Sequence, residues 1–365
     1  MTNKHDTEPS HRLGAAVCAT LLAAGLAWGV HSLWQARSRL AGLAPSAWMD
    51  GSAGQTLKKA LRLPAQAQVE TGQAALRYRL LGNLGEQVVQ GCPGWLFYRD
   101  GLQPQPGHAQ AFAERLRLMR HWVGELHAAG VRVLVVAVPD KSRVEAARLC
   151  GLQASQEMRE RLDDWHASLA ASQVPYVDLR AALDTRRPGY FRTDVHMNNH
   201  GATTSAEAVA AAALHFLGQP GQQRYAVGNA AGATVRVGDL LVLAGLEHAP
   251  DRWRPLPDLV REQTIKPETA GGLLDEVAPP EVLLAGSSNG RRSHFAERLG
   301  MRLGRQVWNL SLDGGQFSGA LQAALRQRAQ WPASLRLVIW EFSEMALSLP
   351  LTEEEKTTLA TLPSR

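Results

Sequence analysis

Residues 14–30 form an almost continuous apolar run (GAAVCATLLAAGLAWGV), which extends to Trp34 when His31 and Ser32 are counted in. About 20 apolar residues cross a bilayer core as a helix, so residues 14–34 read as a membrane anchor, with Trp28 and Trp34 suited to its interfaces. Lys4 and Arg12 precede the run, as in a cleaved signal peptide. No small-x-small cleavage site follows directly, because Gln35-Ala36-Arg37-Ser38-Arg39 intervenes, and an uncleaved anchor is expected. Basic residues flank the run almost evenly, so charge alone does not orient it.

Residues 35–90 mix short amphipathic pieces with Gly, Pro and Ala and read as a stalk and lead-in. The body is expected over 91–350, opening at Cys92-Pro93-Gly94-Trp95-Leu96-Phe97-Tyr98. Helical periodicity predicts helices over 109–129, 153–171, 199–217, 294–303 and 317–329. Continuous apolar runs predict strands over 132–138 (RVLVVAV), 175–179 (PYVDL), 281–285 (EVLLA), 306–310 and 335–342 (LRLVIWEF). Strands alternating with helices make an α/β fold, a mostly parallel central sheet with helices on both faces. Ligands bind beyond the carboxyl ends of such strands, which selects Asp140, Lys141, residues 287–290 and 313–315, and Ser343 onward. Residues 224–280 break the rhythm and read as an excursion near that edge. Residues 351–365 form a polar tail, a short helix or a frayed end.

Composition changes this picture little. The 365 residues are 45% hydrophobic and 20% charged, ordinary for a globular protein. The net charge of +5 and pI near 9.3 suit an acidic polymer or an anionic membrane surface, among other partners. No basic run with interleaved aromatics occurs, which excludes a nucleic-acid binder. Cys18 lies in the apolar run, leaving Cys92 and Cys150 as a disulfide in an oxidising compartment or as two separate thiols.

Two segments carry chemistry. The strand 281–285 runs into Gly286-Ser287-Ser288-Asn289-Gly290, a strand-end turn able to present the Ser288 hydroxyl and aim backbone N–H groups at an oxyanion. The second is Asp194-Val195-His196 ahead of a helix, where the carboxylate can fix the imidazole tautomer and free the other nitrogen as a base. A simple helix cap by Asp194 or a nearby Asn is the plainer alternative. His196 and His200 are four apart but straddle a helix start, so no metal is expected. Asn289, Asn309, Gly314 and Gln316 could donate to an oxyanion or merely turn the chain. Lys141 fits either a substrate contact or a surface ion pair, and Trp95 and Trp340 fit the core better than a sugar platform.

In order along the chain these residues resemble the AlgJ/AlgX-type polysaccharide O-acetyltransferases, whose SGNH-hydrolase-like domain is permuted so that Asp-x-His precedes the serine. The motifs are Gly94-Trp95-Leu96-Phe97, Val138-Pro139-Asp140-Lys141, Asp194-Val195-His196 followed by Gly201-Ala202, Gly286-Ser287-Ser288 and Trp340-Glu341. They span residues 94–341, about two thirds of the chain. The chain departs from the pattern at Met197 (Trp in the family), Ser287 (Thr), Ser343 (Pro) and Met345 (Arg), the last taking a cation from the end of the closing strand.

The resemblance implies a three-layer SGNH-hydrolase-like domain and a triad of Ser288, His196 and Asp194. The expected activity is acetyl transfer through an acyl-enzyme to hydroxyls of an exported polysaccharide such as alginate. Asn289, Gly314 and Lys141 are the secondary candidates for the oxyanion or the substrate. No cofactor is implied; the acetyl donor would be a membrane-bound O-acyltransferase partner. Residues 1–13 would be cytoplasmic and the body periplasmic, held at the inner membrane by one anchor. A carbohydrate acetylesterase of the same fold and a non-catalytic assembly protein of an exopolysaccharide complex are the alternatives.

Overall fold

The structure is a computed structural model that describes residues 9–49, 51–61, 65–268 and 279–363. The expected cytoplasmic segment at 1–13 therefore lies mostly outside the described residues, as does part of the excursion. The chain divides into two compact units, Met1–Gln73 and Ala74–Arg365.

The first unit is helical: Pro9–Ala41, Pro45–Met49 and Ser52–Ala60. Within the first helix His11–Ala41 is long and apolar enough to cross a membrane, with mean hydropathy 1.9 and no burial of its apolar window. The helix outruns the expected 14–34 because the residues after Trp34 are mostly good helix formers and nothing stops it before Gly42. The helix Gln66–Leu81 leads into the second unit, so the presumed stalk is largely helical.

The second unit contains, among the described residues, strands β1 (Val88–Gln90), β2 (Leu96–Tyr98), β3 (Arg132–Val138), β4 (Tyr225–Asn229), β5 (Thr234–Arg236), β6 (Asp258–Val260), β7 (Gln263–Pro267), β8 (Val282–Ala285), β9 (Val307–Asn309) and β10 (Leu337–Ser343). The central sheet has the order β3-β10-β8-β9 and is parallel throughout. Its side chains alternate between two buried layers. Val133, Val135, Ala137, Leu283, Val338, Trp340 and Phe342 face Trp122, Leu162, Trp165 and Phe317. Leu134, Val136, Leu284, Leu337 and Ile339 face Ala206, Val209, Ala213, Phe295 and Leu299. Both faces are covered, so these strands read as unbroken apolar runs rather than as alternation. Each large side chain buried here contributes about 1.5–3 kcal/mol, so truncating Trp165 or Phe342 would cost several.

One expected strand is absent. At residues 175–179 only a single parallel bridge forms, Val135 to Tyr176. Pro175 has no N–H for the ladder, and Asp178 Oδ1 accepts from Arg180 N at 3.0 Å and turns the chain into the short helix Arg180–Leu183. The helix expected at 317–329 is shorter, Gly319–Arg326, followed by one 3-10 turn. The tail forms the helix Glu353–Thr361, begun by a reciprocal cap between Thr352 and Glu355. Glu355 also forms a buried pair with Arg115 at 3.0 Å, which docks this helix on the body.

The excursion is built of two antiparallel pairs, β4–β7 and β5–β6, and the helix Asp239–Leu243. Leu240 and Leu241 anchor it in a third cluster with Leu84, Val88 and Leu96. Cys92 and Cys150 are joined by a disulfide, which settles the alternative left open by their spacing.

Candidate active site

Ser288 opens a one-turn helix, Ser288–Arg291, directly beyond the end of β8. Ser287 caps it, its Oγ accepting from Asn289 N at 3.2 Å. Neither Gly286 nor Gly290 has a positive φ, so their role is room: a Cβ on either would lie 2.4–2.6 Å from Ser311 Oγ and 2.8 Å from Glu341 Oε2. That carboxyl, at the end of β10, accepts from Ser287 N (2.7 Å), Gly290 N (3.0 Å) and Ser287 Oγ (2.8 Å). Burial is the main influence on Glu341 and, against these bonds, pushes its pKa up to about 7.

The Asp194 loop comes from the opposite side. Asp194 Oδ1 accepts from His196 N (3.2 Å) and from His196 Nδ1 (2.7 Å), a local turn that a two-residue spacing makes possible. With Nδ1–H given to Asp194, the lone pair of Nε2 faces Ser288 Oγ at 2.8 Å. Asp194 is fully buried and His196 4% exposed. The cap of the following helix, Asn199–Leu217, falls to Asn198, whose Oδ1 accepts from His200 N and Gly201 N. Asp194 is thus free of the capping duty. His200 Nε2 lies 3.0 Å from Thr185 Oγ1, a partner unconnected with His196.

Burial alone would raise the Asp194 pKa. The hydrogen bond from His196 and the attraction of His196 and the Arg236 guanidinium outweigh it and hold the carboxyl well below its ordinary value. Arg236 Nη2 donates to Asp194 Oδ2 at 2.7 Å, and its guanidinium lies over the Phe191 ring at 4.6 Å. Three further groups converge here. Asp258 accepts from Arg192 N, Thr193 N and Thr193 Oγ1 at 2.6–3.0 Å, pinning the loop. Asp239 Oδ2 is 3.5 Å from His196 Nδ1 and accepts from Arg292 Nη1 at 2.9 Å. Gly238 passes so close to Thr193 that a Cβ would lie 2.1 Å from its carbonyl oxygen. Asp194, His196 and Asp239 together offer ligand atoms within 4.8 Å of one another, but Arg236 and Arg292 already face the two carboxylates and oppose a further cation.

Sequence reasoning missed Arg236, Asp239, Asp258 and Arg292. The first three lie in the excursion, and their partners are tens of residues away in sequence, so no local pattern marks them. Of the secondary candidates, Lys141 requires correction. It is 5% exposed, and its Nζ donates to Leu96 O (2.6 Å), Arg192 O (2.8 Å) and Asp194 O (2.9 Å), so all three N–H groups hold backbone together and none faces a substrate. Burial pushes its pKa down to about 7, against the pull of Asp258 and Asp194. Asn289 is buried, and its Oδ1 accepts from Met197 N at 3.2 Å, joining the histidine loop to the serine turn. Gly314 is exposed on the rim at φ +72°, and among the described residues no hydrogen bond ties it to the serine turn. Asn309 stabilises its own turn, Oδ1 accepting from Ser311 N at 3.0 Å. Trp95 and Trp340 are buried in the body.

Two cavities adjoin the relay. One, of about 360 Å³, is largely apolar, lined by Tyr98, Val195, Asp239, Val242, Leu243 and Met345. The other, of about 290 Å³, is polar, with Asn199, Arg236, Glu262, Arg291, Ser293, His294 and Glu297 on its walls.

Residues 88–344 match the family model described as the SGNH hydrolase-like domain of the acetyltransferase AlgX. The chain is 24% identical over 282 residues to the probable alginate O-acetylase AlgJ of Pseudomonas fluorescens, covering 75% of this chain and 72% of that protein. It is 25% identical to the alginate biosynthesis protein AlgX of Pseudomonas syringae pv. tomato, of whose length the match covers 55%. The O-acetyltransferase domain of Pseudomonas putida AlgJ superposes with a TM-score of 0.65 at 25% identity, covering 75% of this chain and 97% of that one.

Proposed function

Because the chain belongs to the AlgX-type, SGNH hydrolase-like family of O-acetyltransferases, we propose that Ser288, His196 and Asp194 form a triad that moves acetyl groups onto hydroxyls of an exported polysaccharide. The observation that carries this reading is the relay Asp194 Oδ1–His196–Ser288 Oγ, with contacts of 2.7 and 2.8 Å. His196 Nε2 takes the Ser288 proton as Oγ attacks the acetyl carbonyl of the donor. The tetrahedral intermediate collapses, the donor's leaving group departs with that proton, and Ser288 carries the acetyl ester. A sugar hydroxyl then attacks, giving its proton to Nε2, and Oγ recovers it as the ester bond breaks. Ser288 N–H, at the first helical position, has no intrahelical acceptor and is the nearest oxyanion donor.

The names of the AlgJ and AlgX relatives make alginate the first acceptor to test. The apolar N-terminal helix and the Cys92–Cys150 disulfide support an anchored protein with its body in an oxidising compartment, the periplasm. A membrane-bound O-acyltransferase would then supply the acetyl group. For the test, the full chain in detergent is given p-nitrophenyl acetate with and without alginate oligosaccharides. Wild type is expected to release nitrophenol and mark the oligosaccharide with added acetyl mass. Ser288→Ala should lose on the order of 10³-fold or more in turnover. Equal turnover in wild type and Ser288→Ala would overturn the triad.

A further inference from the structure

The floor of the serine turn is an acid that the triad does not use. Oε2 of Glu341 accepts two backbone N–H groups, Ser287 and Gly290, and Oε1 accepts the Ser287 hydroxyl. Ser287 Oγ in turn accepts Asn289 N–H. Of the N–H groups of residues 287–290, those of Ser287, Asn289 and Gly290 are thereby committed, directly to Glu341 or through the hydroxyl it holds, and that of Ser288 is not. The carboxyl reaches this position because residues 286 and 290 lack a Cβ. The glycine spacing around the nucleophile is therefore a slot shared by Glu341 and Ser311, not a demand for left-handed backbone. No cation pairs with the carboxyl among the described residues, and Ser311 Oγ, close to both glycines, finds no hydrogen-bond partner there. A buried acid without a counter-charge is costly to keep for stability alone.

We propose that Glu341 is a positioning residue for the acyl-transfer step, fixing the turn so that Ser288 Oγ meets His196 Nε2 while Ser288 N–H stays free for the oxyanion. The inference rests on the triad reading. A turn seated by three hydrogen bonds that it donates to one carboxyl cannot slide along the strand axis without breaking at least two of them. Misplacing a reacting atom by about 1 Å can cost about 100-fold in rate. The effect belongs in kcat, because Glu341 is buried beneath the turn, 2% exposed, with no surface for a donor or acceptor to contact.

The test measures kcat, KM and the rate of Ser288 labelling by a fluorophosphonate probe for the full-length protein, with melting temperature as the check on folding. Glu341→Gln keeps an oxygen for the two N–H groups but loses the charge that holds the Ser287 hydroxyl. It is expected to melt near wild type and to lose about 10-fold in kcat and labelling rate at unchanged KM. Glu341→Leu removes all three contacts and is expected to lose about 100-fold. If Glu341→Leu fails to fold, Glu341→Gln decides alone. A folded Glu341→Gln protein with kcat and labelling within twofold of wild type, or with its loss in KM, would overturn the proposal. Loss of the triad reading itself is distinguished by Ser288→Ala, which in that case retains wild-type turnover.

Discussion

On the sheet side of the site, Ser288 is seated by backbone amides around one uncharged-paired acid, Glu341, at the end of a strand buried on both faces. On the excursion side, Asp194 is seated by charge: Arg236 on its outer oxygen, Asp258 on the preceding backbone, and the Asp239–Arg292 pair beside the imidazole. The first arrangement has directional bonds and little screening. The second has ion pairs, several of them partly exposed, which solvent weakens. The proposed nucleophile is thus held by geometry and its proposed base by electrostatics, which makes the two halves separable by substitution.

The largest effect expected is on the excursion side. Asp194→Asn keeps the shape of the loop but can present an N–H to Nδ1, favouring the tautomer that puts a hydrogen on Nε2. A kcat loss of about 10⁴-fold is expected. Arg236→Met leaves the tautomer intact and loosens only the outer oxygen, for a loss of about 10- to 100-fold. The ratio of the two losses is the measurement: equal losses would mean that Arg236 is part of the relay and that the excursion does more than hold it. The sign for Asp194 follows from its lowered pKa. Its contribution to stability is full above the ordinary value of 3.8 and disappears as pH falls towards the lower folded value. Removing Arg236 narrows that reserve, so acid unfolding of Arg236→Met should begin at higher pH.

A stability measurement separates two glutamates on the closing segment. Glu344, three residues beyond Glu341, is as deeply buried but receives Arg143, Arg161 and the Asp140 N–H. Burial would raise its pKa, and the arginines outweigh burial and lower it. Glu341 has no such partners and is raised from 4.5 to about 7, so the folded state binds the extra proton between those values. Its contribution therefore falls as pH rises through that window, by about 3 kcal/mol at most. Glu344 has the opposite sign, its contribution present above 4.5 and lost as pH falls. Denaturant midpoints from pH 4.5 to 8 should flatten in Glu341→Gln, whereas Glu344→Gln should lose stability throughout. Parallel curves for wild type and Glu341→Gln would mean that the turn keeps its carboxylate ionised.

These differences also explain what could be read in advance. β3, β8 and β10 are continuous apolar runs because they are covered on both faces, so their ends, and with them Ser288, were visible in the sequence. Asp194 and His196 were visible because a two-residue spacing makes a local turn. Arg236 and Asp239 were not: they reach the site from a short, half-exposed strand and from the first position of a short helix, and an arginine in such a strand looks the same whether it meets solvent or a carboxylate 42 residues away. Lys141 sat at a strand end as expected, yet points inward, because three carbonyls from two separate segments converge on it and no pattern along one segment reports that. The strand missing at 175–179 has a local cause after all, a proline and an aspartate that pull the ladder apart.

The smallest effect is reserved for the rim. Gly314 occupies the left-handed region at φ +72°, and a Cβ there would meet nothing within 4 Å, so Gly314→Ala introduces backbone strain without a clash. That strain costs about 1–2 kcal/mol. The neighbouring Asp313 lies 3.4 Å from Arg292 Nε, so a shift of this turn reaches the charged side of the site but not the floor beneath Ser288. A melting temperature lowered by a few degrees, with kcat within about twofold, is expected if the rim only shapes the entrance. A kcat loss of about 10-fold or more at unchanged KM would instead bring this turn into the transition state, with the Gly314 N–H as its available oxyanion donor, since an interaction made in the transition state alone changes kcat without changing ground-state binding. The turn would then join Glu341's floor in holding the reacting atoms, and the separation of nucleophile from base would no longer be clean.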